Sequence, residues 1–370
     1  MDLIDAVILG IVEGITEYLP VSSTGHLIIT AWLLGLTEEW RTKVAVDAFN
    51  IIIQGGAILA VLGLYRVRVW QMIRGLFGRD SIGLKLFLNL VVAFIPAAVF
   101  GVLFDEYITR HLFAPIPVLS ALFLGGLVLL GIGPWQRRIY HAQADANEAG
   151  PDAQTPATGR RFTELESLSW RQALIIGLLQ CVAMWPGTSR SMMTIVGGMF
   201  MGLRPRQAAE FSFLLGLPTL GGACAYKLLK IGLADNSTFI EDLGGWTPLI
   251  VGLVVATAAA ALAVHWLVAW LANHGLGIFG WWRIGLSALL LAGILSGRLK
   301  ITTPPELDQV NPKTLVDPKK KHHKISLHTP VSKRHLRTSR FEDEADQDPL
   351  WGGSPTSSTC SRIARSTEAS

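Results

Sequence analysis

Six apolar runs, each long enough to cross a bilayer with ~30 Å of hydrocarbon, decide what this chain can fold into. They are Asp47 to Tyr65, Leu86 to Phe104, Ile116 to Pro134, Phe211 to Leu229, Trp246 to Ala272 and Ile278 to Gly297. Half of the 370 residues are hydrophobic and only 16% are charged, more apolar side chain than a water-soluble core can bury. The sequence therefore predicts an all-α integral membrane protein, a polytopic helical bundle with six full spans. The opening MDLIDAV has no basic stretch and no small-residue cleavage pattern, so the first segment is expected to stay in the protein. Cys181, Cys224 and Cys360 are too scattered for a metal or disulfide framework and read as small packing residues.

The net charge of +4 is local in origin. Arg66 to Lys85 holds five basic residues, and Arg137, Arg138, Arg160, Arg161 and Arg171 flank the polar stretch Tyr140 to Ser169. Both loops read as cytoplasmic. The stretch 140–169 is rich in Ala, Pro and Gly and is expected to be a flexible insert. The tail 304–370, with KKKHHK at Lys319 to Lys324, reads as a disordered basic segment, and no nucleic-acid-binding module accompanies it.

Two apolar regions are not continuous. Leu3 to Leu19 is cut by Pro20 and the polar run Ser22 to His26, and Ala173 to Trp185 is cut by PGTSRS. Each predicts two half-length helices around a polar turn. GIVEGITEYLPVSSTG can be laid over GLLQCVAMWPGTSRS with one gap, so that Glu13 meets Gln180, Pro20 meets Pro186, and Ser22-Ser23-Thr24 meets Thr188-Ser189-Arg190. Paired interrupted segments of this kind mark discontinuous helices that build a site near the bilayer midplane. Read as two re-entrant hairpins separated by three spans, they form inverted repeats. The membrane unit is then 1–300, with halves of about 1–135 and 170–300. Arg204 and Arg206 fall on the same side as Arg171, as the charge rule asks, while the basic tail is left on the opposite side, against it.

The polar turns carry the chemistry. Glu13 and Glu17 are i and i+4, on one helix face about 6 Å apart. Two carboxylates in a low-dielectric site need a proton or a cation between them, and a hard divalent ion, Mg²⁺ or Ca²⁺, takes oxygen ligands; otherwise they are helix charges at a water interface. Pro20 ends the first half-helix, and Ser22, Ser23 and Thr24 are N-cap residues for the next. A helix starting there aims free N–H groups at a bound anion such as phosphate. His26 titrates near neutral pH and is a candidate acid/base. Arg190, between Ser189 and Ser191 and after Thr188, is a guanidinium in a membrane-embedded turn, suited to an anionic ligand or to pairing with the glutamates. Arg283, beside Trp281 and Trp282, fits a snorkelling interfacial side chain as well as a ligand role and is set outside this site. An acidic pair, a hydroxyl, a histidine and an arginine are a set for phosphoryl chemistry, and a site inside the membrane implies a substrate with a lipid tail.

EGITEYLPVSSTGH and PGTSRS resemble the ExxxE, SSTGH and PGxSRS signatures of the undecaprenyl-diphosphate phosphatases, also called bacitracin-resistance proteins. The resemblance covers roughly Met1 to Lys300 and includes FNIIIQGGAILAV and FSFLLGLPTLGGA. It implies hydrolysis of undecaprenyl diphosphate to undecaprenyl phosphate and inorganic phosphate, in the bacterial inner membrane, with a site open to the outer face. It also implies an inverted-repeat bundle with two re-entrant hairpins. By the same resemblance Glu13 and Glu17 are the metal-associated pair and Ser23 the nucleophile. His26 is its acid/base partner, and Arg190 with Ser189 and Ser191 holds the diphosphate. The expected partners are the lipid diphosphate and the bilayer, without nucleic acid, and a homodimer is compatible with the sequence. Met192 and Met193 depart from the Gly-Ala that many members carry after PGxSRS. The competing expectation is a transporter or flippase of a lipid phosphate or anion, since broken helices in inverted repeats are also a transporter architecture. A channel or structural protein is the third.

Overall fold

A computed structural model describes residues 1–36, 40–112, 114–148, 163–233, 240 and 243–297. The described helices, in chain order, are α1 (Leu3–Tyr18), α2 (Ser23–Leu33), α3 (Trp40–Leu64), α4 (Arg66–Leu76), α5 (Ser81–His111), α6 (Pro115–Glu148), α7 (Trp170–Val182), α8 (Arg190–Phe200), α9 (Pro205–Leu233), α10 (Trp246–Asn273) and α11 (Gly277–Leu295). Among the described residues the only β-type pairing is an isolated bridge between Thr163 and Leu203.

Six helices are long and apolar enough to span a membrane: Ala45–Leu64, Ser81–Phe104, Pro115–Trp135, Pro205–Tyr226, Trp246–Asn273 and Gly277–Leu295. All six predicted runs fall on them. The largest shift is in α9, which begins at Pro205, ahead of the apolar run. Proline is suited to the first helical position, and the polar first turn RQAAE hides the start from a hydropathy reading.

The two broken segments are short helices. At ~1.5 Å per residue α1 reaches ~24 Å and α2 ~16 Å, neither enough to cross. Helix α1 opens with a capping box: Asp2 Oδ1 accepts from the Asp5 N–H at 2.8 Å and Asp5 Oδ2 from the Asp2 N–H at 3.0 Å. It stops at Leu19, held extended (ψ 145°) because the residue before proline is driven out of the helical region. Helix α7 opens with the same device from Ser169 and Gln172. Ser22 and Ser189, the N-caps of α2 and α8, are the two non-glycine residues with positive φ among the described residues, at 73° and 75°. Both short helices end in a left-handed glycine, Gly35 and Gly202, with the next N–H bonded back five residues, Leu36 to Ala31 and Leu203 to Gly198.

These landmarks fall at one constant offset. Asp2 matches Ser169, Gly10 matches Gly177, Glu13 matches Gln180, Ser22 matches Ser189, and Gly35 matches Gly202. The structure therefore registers the segments without the gap of the sequence alignment, and Pro20 meets Gly187 rather than Pro186. What repeats is the set of caps and turn residues. The backbones differ between the half-helices, where α1 runs to Tyr18 and α7 stops at Val182, and where Gly187 has φ 98°, which Pro20 cannot adopt.

Helix α1 packs on α10, α10 on α3, α3 on α9, α8 on α9, α7 on α5, and α6 on α11. The α1–α10 crossing is close because both faces are small: a Cβ on Gly14 would lie 2.5 Å from the Ala256 carbonyl oxygen. Small residues let membrane helices approach backbone to backbone.

The expectation for 140–169 is corrected at both ends. Helix α6 runs on through Glu148, and at the other end Leu165 and Leu168 are buried. The Asn89 side-chain amide donates to the Leu168 carbonyl at 2.8 Å, and Arg68 bridges Glu166 and Glu210 at 2.9 and 2.8 Å. Apolar anchors and an ion-pair network override the polar composition there. The rest of the insert, at 149–162, the tail 304–370 and Cys360 lie outside the described residues. Cys181 and Cys224 are free thiols, each donating to a backbone carbonyl.

Candidate active site

The two serine turns meet. Glu17, near the end of α1, receives the first residue of α2 and the first residue of α8: Ser23 Oγ donates to its Oε2 at 2.8 Å, and Arg190 Nη2 donates to its Oε1 at 3.3 Å. Arg190 also donates from Nη1 to the Ser212 carbonyl at 3.1 Å, and its guanidinium carbon lies 5.8 Å from the centre of the Tyr18 ring. Its Nε is buried without a partner. Tyr18 is held by a hydrogen bond from its hydroxyl to the Ala57 carbonyl of α3 and by an edge-on contact with Phe213. A charged fork with one nitrogen, Nε, left without a partner, placed over a fixed ring, is set to bind a further acceptor.

Glu13 lies one turn before Glu17. It is completely buried, and neither carboxylate oxygen has a hydrogen-bond partner. A carboxylate in that position must carry a proton or lie beside a cation. The Glu13 oxygens are open, whereas both Glu17 oxygens already accept, from Ser23 and Arg190, so a hard divalent ion would share Glu17 with those donors and complete its shell with phosphate oxygens and water. Glu13 and Glu17 are the two carboxylates that would hold the expected Mg²⁺ or Ca²⁺, and among the described residues no group of three or more His, Cys, Asp or Glu is clustered for metal binding.

The remaining hydroxyls work within the turns. Ser191 Oγ donates to the Leu19 carbonyl at 3.0 Å, Ser189 Oγ lies 3.0 Å from Ser191 Oγ, and the Met192 N–H donates to Ser189 Oγ at 3.3 Å. Since Ser191 spends its proton on Leu19, Ser189 is the donor between them, and the chain of bonds ties the second turn to the end of α1. Thr194 Oγ1 and Ser212 Oγ, 2.6 Å apart, fix α8 to α9. Thr188 is buried and its N–H donates to the Trp185 carbonyl; Thr24 is half-buried in the first turn of α2.

His26 is placed differently from the sequence expectation. Its Nδ1 lies 2.8 Å from the Ser22 carbonyl, which can only accept, so Nδ1 carries the proton and Nε2 accepts from Trp282 Nε1–H at 2.8 Å. The two rings are nearly parallel. Both nitrogens are engaged away from Ser23, whose proton points to Glu17.

Arg283 is the larger correction. It does not snorkel: it is the largest fully buried side chain among the described residues. Its Nη2 donates to the Gly187 and Ala121 carbonyls at 2.7 and 3.1 Å, Nε to Leu122 at 3.3 Å, and Nη1 to Pro20 at 3.5 Å. One guanidinium thus fastens both serine turns to α6. Gly125 makes the room, since a Cβ there would sit 2.3 Å from Arg283 Nη2. The neighbouring tryptophans Trp281 and Trp282 suggest an interface, and only the fold places Arg283 beneath the turns.

Fold and site together define a polytopic helical membrane protein whose two broken helices converge on a buried carboxylate, hydroxyl and guanidinium. The chain belongs to the bacitracin resistance protein family: the family described as Bacitracin resistance protein BacA matches residues 6–289. It is 44% identical over 287 residues to a protein of Sorangium cellulosum named undecaprenyl-diphosphatase, covering 78% of this chain and 85% of that one. It is 43% identical over 295 residues to undecaprenyl-diphosphatase 2 of Rhodospirillum rubrum, covering 80% and 96%. It is also 43% identical over 286 residues to the undecaprenyl-diphosphatase of Azotobacter vinelandii, covering 77% and 92%.

Proposed function

We infer that this chain hydrolyses undecaprenyl diphosphate to undecaprenyl phosphate and inorganic phosphate, recycling the lipid carrier of the bacterial cell wall and conferring bacitracin resistance. The names of the relatives support the substrate. The observation that carries the reading on the site is the convergence on Glu17, where one buried carboxylate accepts a serine proton and pairs with a phosphate-binding guanidinium. Anion transport needs the guanidinium but has no use for a hydroxyl poised on a carboxylate.

In this reading the prenyl chain stays in the bilayer of the inner membrane while the diphosphate enters between the helices. Broken helices that start at the site would then be re-entrant and inverted, a reading supported by their matching caps and serine turns. Arg190 holds the terminal phosphate, with Nε as its spare donor. Ser23 Oγ attacks the terminal phosphorus as its proton passes to Glu17; the bond from that phosphorus to the bridging oxygen breaks, and undecaprenyl phosphate leaves. Glu17 hands the serine proton to the departing undecaprenyl phosphate and is free to take one from water, which attacks the phosphoserine phosphorus. The bond from phosphorus to Ser23 Oγ breaks, Glu17 returns a proton to Oγ, and inorganic phosphate departs. His26, held by Ser22 and Trp282, orders the turn that presents Ser23. Glu13 and Glu17 would hold a divalent ion, which when bound would supply charge compensation for the phosphates. All of these side chains come from one chain, so the reaction needs no second copy.

The test is phosphate release from undecaprenyl diphosphate by the purified protein in detergent, with and without a chelator, for wild type, Glu17→Ala and Arg190→Ala. Cation-dependent release that both substitutions abolish in folded protein is expected. No release from folded wild type overturns the hydrolase reading, and a phosphoserine at position 23 trapped by rapid quench separates the serine route from direct attack by water.

A further inference from the structure

Helix α4 has no part in the site, yet its surface is unusual. It joins the span that ends at Leu64 to the span that begins at Ser81, so it lies where the chain leaves and re-enters the bilayer. One side is tightly held. Met72 and Gly75 are buried, a Cβ on Gly75 would meet the Leu84 nitrogen at 2.2 Å, and Arg68 is tied to Glu166 and Glu210.

The opposite side is bare. Val67, Trp70 and Phe77 are 65%, 61% and 76% exposed, and Ile73 and Leu76 are exposed beside them. Arg66 and Arg74 project from the same side, and Arg79 and Lys85 follow at the start of α5. All four cations are exposed, and among the described residues none has a carboxylate within 4 Å. The one acid of this stretch, Asp80, is spent capping α5 through the Gly83 N–H at 2.8 Å. Large apolar and aromatic side chains interleaved with unpaired arginines, on a helix fixed at the membrane boundary, match the chemistry of one surface.

We propose that the outer face of α4 docks onto the anionic headgroup layer of the leaflet at this end of the molecule. Arg66, Arg74 and Arg79 bind headgroup phosphates, while Val67, Trp70, Ile73 and Phe77 enter the apolar boundary beneath them. The occupant is the bilayer and not a soluble protein, because the face is continuous with two spans whose own surfaces are already in lipid. The inference does not depend on the reaction catalysed.

The experiment uses the full chain reconstituted in phosphatidylcholine bilayers with a trace of spin-labelled phosphatidylglycerol or spin-labelled phosphatidylcholine, and reads the motionally restricted fraction of each label. About a fivefold preference for the anionic label is expected in wild type, falling toward parity at 1 M salt as the Debye length shrinks to about 3 Å. Arg66→Gln/Arg74→Gln/Arg79→Gln removes most of that preference, and single Arg74→Gln reduces it measurably should the triple variant not fold. Arg110→Gln, at the far end of α5 and already paired with Glu106, leaves it unchanged. Equal association of the two labels with wild type overturns the proposal, as does a preference that survives the arginine substitutions and disappears when residues 304–370 are deleted. Loss of a co-purifying soluble protein from the triple variant, with lipid preference intact, would make the face a protein contact instead.

Discussion

The segments Asp2–Leu36 and Ser169–Leu203 share their caps and serine turns and carry opposite chemistry. Each begins with a capping box, turns at a serine of positive φ and ends on a left-handed glycine. At matched positions the first segment has Glu13, Glu17, Ser23 and His26, and the second has Gln180, Met184, Arg190 and Met193. The backbone supplies two strained turns facing each other, since a non-glycine residue at positive φ costs of the order of 1–3 kcal/mol. The side chains divide the work: acid and hydroxyl from one turn, cation from the other. Glu17 is where the division closes, because Ser23 and Arg190, equivalent first residues of α2 and α8, both bond to it. A site of this kind needs both segments and cannot be built from either alone.

The largest predicted effect comes from breaking that closure. Glu17→Gln keeps the shape of the side chain but removes the charge that pairs with Arg190 and accepts the Ser23 hydrogen bond. A fall of about 10³-fold in phosphate release is expected, ~4 kcal/mol in barrier, and Arg190→Gln should match it within a few fold. The double variant should be no worse than either alone, because the two residues act as a unit. Additive losses would mean that Glu17 and Arg190 serve separate steps.

The sequence discloses the parts of this closure and not their arrangement. Glu13, Glu17, Ser23 and Arg190 stand out because a charged or hydroxyl residue in an apolar run has to be explained, and the six spans are legible because hydropathy is local. Contacts across the fold are not. Arg283 carries the same signal as Arg190, an arginine in an apolar segment, but two adjacent tryptophans argue for an interface, and only the packing of α11 on α6 brings it under the turns. Ser212, Thr194 and Tyr18 are ordinary residues in apolar helices, with nothing in their spacing to mark them. The register of the repeat is hidden for a related reason: positive φ at Ser22 and Ser189 has no sequence signature, whereas the two prolines offer a misleading one.

Next in size is the fastening of the two turns to each other. Arg283→Met preserves much of the volume and leaves the Pro20, Gly187, Ala121 and Leu122 carbonyls without their donor. Burying unpaired acceptors should destabilise the protein by about 3 kcal/mol, read as a lower unfolding temperature in detergent. Arg283→Lys keeps the charge but not the fork and should recover only part of it. If Arg283→Met unfolds like wild type, the turns are held by Ser191 and its bond to Leu19 instead.

A smaller effect tests the first turn alone. His26 Nδ1 lies on the Ser22 carbonyl and Nε2 on Trp282, so the role proposed for the histidine is to order the serine turn. Trp282→Phe and His26→Ala are then each expected to cost about tenfold or less in turnover, from the loss of one or two hydrogen bonds, and together little more than His26→Ala alone. A 10³-fold loss in His26→Ala with full activity in Trp282→Phe would return His26 to the acid/base role.

The smallest effect concerns a tether that belongs to the second segment. Just ahead of its capping box, Glu166 pairs with Arg68 of α4 at 2.9 Å, with about a third of its side chain exposed. A hydrogen bond from its own backbone N–H, together with Arg68, holds the Glu166 carboxyl below the ordinary carboxylate range, against the opposing pull of partial burial. A depressed folded-state pKa contributes stability above the unfolded-state value and loses it as pH falls through the folded one. At this exposure the contribution is about 0.5 kcal/mol once solvent screening is allowed for. Glu166→Gln should therefore unfold slightly earlier than wild type at pH 7, with turnover unchanged, and the gap should close as pH falls through the depressed folded-state pKa, where wild-type Glu166 itself takes up a proton. A gap that persists at low pH would assign the difference to packing of the 165–168 turn, and a loss of turnover at pH 7 would mean that this end of α7 sets the position of Arg190.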